Sequence, residues 1–230
     1  PYMDDTRGVY FQNTAKEGSP FEWIAQSNVS GNAIESVNED IMRIAKDAAF
    51  VYWATDDEKY ARFAYDIFDT YMMGMYYRKE PIDLANGHAQ TLVGMSTFEV
   101  IQERVLTELA YLYDFNYSYI AKNHNDKIDK YATTFKRWID VSIKNGVPHN
   151  NWNLHKSKFI LKVAMVLEDN KYYNDGKGRE YYIDYILNKT SARQWSLPKF
   201  LNYGYDQNTG IWNECPGYSQ SVVHELTMFI

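Results

Sequence analysis

Apolar residues recur at three- and four-residue spacing through most of this chain, a periodicity that leaves room for little except helices. Ile41, Ile44, Ala48 and Val51 make one stripe, and Tyr60, Phe63, Ile67, Phe68, Tyr71 and Met75 the next. Further stripes run through Phe98, Ile101, Val105, Leu109 and Leu112, then Ile128, Tyr131, Phe135, Trp138 and Ile139, then Phe159, Ile160, Val163, Val166 and Leu167. Thr55 with Glu58 and Ser96 with Glu99 have the spacing of capping boxes, which predicts helix starts there. Asn145-Gly146-Val147-Pro148 predicts the end of the fourth long helix, and Asn174-Asp175-Gly176-Lys177-Gly178 that of the fifth. Alternating strand patterns are scarce. The expectation is an all-α chain of antiparallel helical hairpins, as a bundle or a curved array, with polar-aromatic residues gathered in the loops 81–95, 146–153 and 202–217.

A chain of 230 residues is large enough to bury a core without disulfides or metals, and it gives no reason on size to be split. Cys215 is the single cysteine, which rules out an internal disulfide framework and a cysteine-based zinc site. A net charge of −6 without a long basic run argues against nucleic acid and anionic membranes as partners. Nor does any apolar run approach the length of a membrane span. The chain begins at Pro1 and stops at Ile230 within an apolar stretch, the pattern expected of a piece cut from a longer protein.

Aromatic residues reach 17%, with 21 Tyr. Tyr and Trp combine a flat apolar face with a polar edge, so each has two readings, half-buried packing on a helix or a wetted surface that holds a sugar ring. Two stretches concentrate such residues: His149-Asn150-Asn151-Trp152-Asn153, and Ile211-Trp212-Asn213-Glu214-Cys215-Pro216-Gly217-Tyr218-Ser219. One Asn suffices to cap the helix that follows the first stretch, which leaves further amides for a cleft. His155 lies one turn beyond Asn151 and shares its face if the helix has begun. Glu214 reads as a solvated carboxylate, a partner for a helix start, or part of a site. His88 and Gln90 stand between two long helices, as satisfied loop groups or as a third wall. Two other signals fail on inspection. Asp169–Gly178 has Lys171 and Tyr173 where a calcium loop needs oxygen ligands, and His224-Glu225 is followed by Met228 where a zinc protease needs its second His.

Asn-Asn-Trp ahead of an apolar helix, followed by Trp-x-Glu-x-Pro-Gly-Tyr-Ser, resembles the heparinase II/III-like polysaccharide lyases together with their alginate-lyase relatives, best over residues 146–228. The resemblance implies an incomplete (α/α) toroid, here residues 1–230 as a single domain, followed in the longer chain by a β-sandwich. It also implies a periplasmic or secreted protein that cleaves an acidic polysaccharide or oligosaccharide by β-elimination. No cofactor or metal is implied in this chain, although a missing domain could hold a structural metal. The proton at C5 of a uronate is released only if the adjacent carboxylate is neutralised as the carbanion forms, and an amide such as Asn151 does this without titrating.

By the same resemblance, Tyr218 is the proton carrier, acting as base and then acid. Asn150, Trp152, His155, His88, Gln90, Trp212 and Glu214 would bind substrate. One departure stands out: the alginate-cleaving relatives tend to have His directly after the key Asn, where this chain has Trp152. Three alternatives remain open on the residues alone: a glycoside hydrolase, which needs a carboxylate pair from among Glu99, Glu103 and Glu214, a non-catalytic glycan-binding helical domain, and a purely structural helical array.

Overall fold

The computed structural model describes residues 8–12, 18, 21–25, 28–77, 104–144, 146–149 and 151–227. Eight α-helices dominate them, as the periodicity predicts. A short antiparallel ladder, β1 (Gly8–Gln12) with β2 (Phe21–Ala25), precedes the helices, with Gly8 opposite Ala25 and Gln12 opposite Phe21. The described residues fall into two compact units, one reaching Tyr131 and the other running from Ala132.

In the first unit α1 (Asn28–Thr55), α2 (Glu58–Tyr77) and α3 (Arg104–Asn123) pack on one another. Alanines at the contact faces, Ala45, Ala49, Ala61 and Ala64, let the helices approach closely, and Met42, Phe68, Met72, Leu109, Leu112 and Ile120 fill the space between. The α1 stripe expected from sequence is rotated from the one that is buried. Met42, Ala45, Ala49 and Tyr52 face the core, whereas Ile44 is 51% exposed. Ile44, Ala48 and Val51 instead line an open groove of about 500 Å³ with Asp47, Lys59, Tyr60 and Phe63. The Thr55–Glu58 capping box also fails to form. Thr55 ends α1, its hydroxyl donating to the Val51 carbonyl at 2.7 Å, and Asp57 caps α2 instead by accepting from the Lys59 N–H at 3.2 Å. Ser96 and Glu99 lie outside the described residues.

The first unit closes on a polar knot. The Tyr131 hydroxyl, on the first turn of α4 (Ile128–Lys144), donates to Asp69 at 2.6 Å, and Lys127 donates to the same carboxylate at 2.8 Å. Burial, then the bond to Asp69, pushes the Tyr131 hydroxyl far above the usual tyrosine range. It remains a donor at any ordinary pH. Next to it the His124 ring stacks on Tyr65 with centroids 3.7 Å apart.

In the second unit α5 (Asn151–Ala164) is central, packing against α6 (Arg179–Asn188), α7 (Leu197–Gly204) and α8 (Pro216–Thr227). The fourth helix stops at Lys144, just before the predicted Asn-Gly-Val-Pro break. α5 stops at Ala164, well short of the Gly-rich stop signal, because the intervening loop is held by its own side chains. The Asn170 side-chain oxygen accepts from the N–H groups of Gly178 and Tyr181 at 2.8 and 3.0 Å, and the Arg179 guanidinium donates to the Leu167 carbonyl. The acidic, Gly-rich stretch therefore serves as a self-bonded connector, in which Gly178 is required because a Cβ there would stand 2.5 Å from the Glu168 carbonyl oxygen.

Tyr131→Phe should cost about 2 kcal/mol, the worth of one hydrogen bond to a charged acceptor. A fall in the urea midpoint with unchanged slope would show it; an unchanged midpoint would remove the knot from the list of supports.

Candidate functional site

The two polar-aromatic stretches belong to the second unit, and α5 organises both. Asn153 is wholly buried and uses its whole amide on one neighbour, donating to the Trp195 carbonyl at 3.1 Å and accepting from the Trp195 N–H at 2.9 Å. One turn on, the Ser157 hydroxyl donates to the Asn153 carbonyl at 2.8 Å and accepts from the Gln194 amide at 2.8 Å. This network pins the irregular segment 194–196 to α5. From there Pro198 sits in the first turn of α7, where its missing N–H has no helical partner to lose.

Asn151, two residues earlier, behaves differently. It is 5% exposed, and its Oδ1 is buried with no hydrogen-bond partner. An orphaned buried amide oxygen costs about 1–3 kcal/mol, so one that persists calls for a reason outside the folded chain. The terminal torsion of Asn is broad, so half a turn exchanges the buried oxygen for the NH₂ group. Such an amide can meet an incoming donor or an incoming carboxylate.

The second stretch forms a hairpin, a single antiparallel bridge between Tyr205 and Trp212 closed by the turn 206–211. Asp206 holds that turn, accepting from the Thr209 and Asn208 N–H groups and the Thr209 hydroxyl, which keeps its carboxyl below the usual range. Gly210 has φ +68°, a left-handed conformation that glycine adopts without strain. The hairpin drives Trp212 inward to 2% exposure, against Leu154, Trp195, Phe200 and Val222. Its ring faces are taken up by packing on Phe200 and Tyr205. What it offers a site is its indole N–H, which donates to Glu214 at 2.8 Å and fixes that carboxylate.

Tyr218 is 50% exposed on the first turn of α8, its N–H bonded to the Cys215 carbonyl. α8 is held to α5 by Glu225, a nearly buried carboxylate that pairs with Lys158 and lies 3.7 Å from His155 Nδ1. Glu225, from the string dismissed as a zinc motif, thus supplies an interhelical anchor. Trp152 is part-buried at the start of α5 and engaged with its neighbours. Asn150, His88 and Gln90 lie outside the described residues. Among the described residues no three His, Cys, Asp or Glu side chains gather closely enough to hold a metal ion, and no helix is long and apolar enough to cross a membrane.

Sequence reasoning missed Gln194, Trp195 and Glu225. Gln194-Trp195-Ser196 ahead of Leu197-Pro198 was the available signal, another polar-aromatic run just before a helix start.

Compared with known families, the chain matches alginate lyase over residues 14–206. It belongs to the alginate lyase family. That makes it an alginate-lyase-like polysaccharide lyase, with an acidic, uronate-containing polysaccharide as its class of substrate. The matched region contains Asn151, Asn153 and Trp195; the hairpin residue Trp212 and Tyr218 lie beyond it. No curated protein and no solved structure matches the chain.

Two substitutions separate support from site. Asn153→Ala should lower stability by about 2 kcal/mol, because it orphans the Trp195 N–H and leaves the Trp195 carbonyl only the long 3.4 Å bond from the Gln194 amide. Gly204→Ala would set a methyl group 1.8 Å from the Trp212 ring and should cost about 2 kcal/mol through forced repacking. Thermal melts would show both losses, and a red-shifted tryptophan emission in Gly204→Ala would report the indole leaving the core.

Proposed function

We propose that this chain cleaves a uronate glycan by β-elimination, with Asn151 neutralising the uronate carboxylate and Tyr218 carrying the proton. The observation that carries the reading is the Asn151 amide, buried with its oxygen unpaired on the central helix of an alginate lyase family member. Its neighbour Asn153 is taken up by Trp195, so of these two buried amides Asn151 is the one with an unpaired atom to offer substrate.

In this mechanism the amide NH₂ of Asn151 donates to the carboxylate at C5, stabilising the charge that builds as the C5 proton leaves. Tyr218 takes that proton, the C4–O bond breaks, a C4–C5 double bond forms, and the departing glycosidic oxygen receives a proton in turn. The spacing of the helices supports a shared sugar. Lys158 and Glu225 pair across α5 and α8, and Asn151 and Tyr218 each stand seven residues before them. Leu154 and Val222, about one turn before the same pair, lie in one core cluster, so the two helices run the same way from their N-terminal turns. His155, held beside Glu225, and Glu214, held by Trp212, then line the approach as polar supports. Trp152 stands where the alginate-cleaving relatives tend to have a His after the key Asn, which leaves the proton to Tyr218 or to a His elsewhere, and we assign it to Tyr218.

The finer reading includes the heparinase II/III-like relationship and an incomplete (α/α) toroid continued by a β-sandwich in the longer protein. It also places the protein in the periplasm or outside the cell, where its polymer is found.

Incubation with alginate, heparan, hyaluronan and ulvan-type glycans should release an unsaturated uronate that absorbs in the ultraviolet. Reducing ends without that absorbance would mean hydrolysis instead, and no product from any acidic glycan would sink both enzyme readings. Asn151→Ala should lower turnover by about a hundredfold or more, the scale of losing one preorganised donor to a developing charge. Its melting temperature should hold or rise, since the variant sheds an unpaired buried oxygen. Tyr218→Phe, at a half-exposed position, should abolish product while leaving the melting temperature unchanged.

A further inference from the structure

Near the start of α5 lies a cluster that the mechanism above leaves unused. Trp195 is its floor, 9% exposed and locked to α5 through Asn153. Three groups converge on that indole. Lys199 Nζ lies 4.4 Å above the ring centroid, His149 meets it edge-on at 4.8 Å, and Tyr203 does the same at 5.0 Å. His149 and Tyr203 are themselves 5.9 Å apart, so the three rings touch pairwise. Lys199 and Tyr203 are four residues apart on α7 and therefore share a face, and His149 precedes Asn151 by two residues.

Two features make this more than packing. Lys199 and His149 are exposed and Tyr203 is 54% exposed, so the side chains above the Trp195 floor open to solvent. The Lys199 ammonium also has no carboxylate partner among the described residues; only the indole face holds it. A cation within about 6 Å of a Trp centroid is restrained by the ring quadrupole, yet that contact satisfies none of its three N–H donors. The result is a positioned, unspent positive charge beside a half-exposed aromatic face.

We propose that Lys199, Tyr203 and His149 form a subsite for a second uronate residue of the polymer, next to the one held by Asn151. Lys199 binds the carboxylate of that sugar, Tyr203 packs against its C–H face, and His149 bonds a ring hydroxyl. The subsite rests on the uronate-glycan reading for its ligand class and not on β-elimination as the reaction. It also accounts for α7 within the site: the Asn153–Trp195 lock sets the register of a helix that carries two substrate contacts.

Calorimetric binding tests this in the full chain carrying Tyr218→Phe to suppress turnover, with an alginate oligosaccharide and its carboxyl-reduced, neutral counterpart as probes. Lys199→Met should weaken the acidic ligand about tenfold, the loss of one hydrogen bond to a charged partner, and leave the neutral ligand unchanged. Lys199→Arg should restore most of the affinity, and Tyr203→Ala should weaken both ligands. Lys171→Met, a change at an exposed lysine of the α5–α6 loop, should alter neither. Equal binding of the acidic ligand with and without Lys199 would overturn the subsite. So would equal loss of both ligands in Lys199→Met, or failure of the parent to bind either. The two proposals fail separately: Lys199-dependent binding in a protein that releases no unsaturated product removes the elimination chemistry alone. Unsaturated product at unchanged KM in otherwise wild-type Lys199→Met removes the subsite alone.

Discussion

The bond pair between the Asn153 amide and the Trp195 backbone is the contact on which the second unit's arrangement depends. Residues 194–196 form no regular element, so their buried N–H and C=O groups have no ladder to join. A primary amide presents one donor and one acceptor side by side, the same pair that a neighbouring strand would offer, and Asn153 presents them from inside a helix. Once Trp195 is fixed, α7 starts in a set direction, the 205–212 hairpin returns Trp212 to the core, and α8 begins beside α5. A network of neutral hydrogen bonds suits this task. Each bond contributes only about 1 kcal/mol net, but an alternative register would leave several buried groups unpaired at once, and that penalty is what specifies one arrangement.

The same helix shows how one residue type serves opposite ends. Asn151 and Asn153 are both buried on α5, yet one is fully paired and the other keeps an orphaned oxygen. Folding alone would remove the second, because an apolar residue there would cost nothing in desolvation. Lys156, wholly buried on the helix between Asn153 and Phe159, adds to the polar load α5 carries. A helix with this many interior polar groups has a low hydrophobic stripe for its length, and its stability comes from the three helices packed on it and from the Lys158–Glu225 anchor.

Much of the helical content was legible because a 3.6-residue period survives any tertiary context. Details that depend on which side meets which partner were not. On α1 the sequence offers two adjacent apolar stripes, and only docking with α2 and α3 decides that Met42, Ala45, Ala49 and Tyr52 are inside while Ile44 stays at the rim of a groove. Thr55 and Glu58 have capping spacing, but Asp57 stands closer to the helix start and captures the free N–H first. The extent of α5 was overestimated since Val166 and Leu167 continue the apolar rhythm after the chain has already turned. At the candidate site, the clustering of amides was readable, whereas the division of labour among them was not, because Trp195 lies more than forty residues downstream of its partner.

Trp212 illustrates why aromatic content is a weak guide to sugar contacts. Its motif position suggested a stacking platform, but a methyl group on Gly204 would overlap its ring, and Phe200, Tyr205 and Val222 complete the enclosure. An indole buried to this degree has only its N–H left to act with, and that group goes to Glu214. Glu214 gains one fixed donor from that indole, which sets the direction of its carboxylate. On the proposed reading, a carboxylate oriented in this way suits a sugar hydroxyl, which leaves the uronate carboxyl group to Asn151.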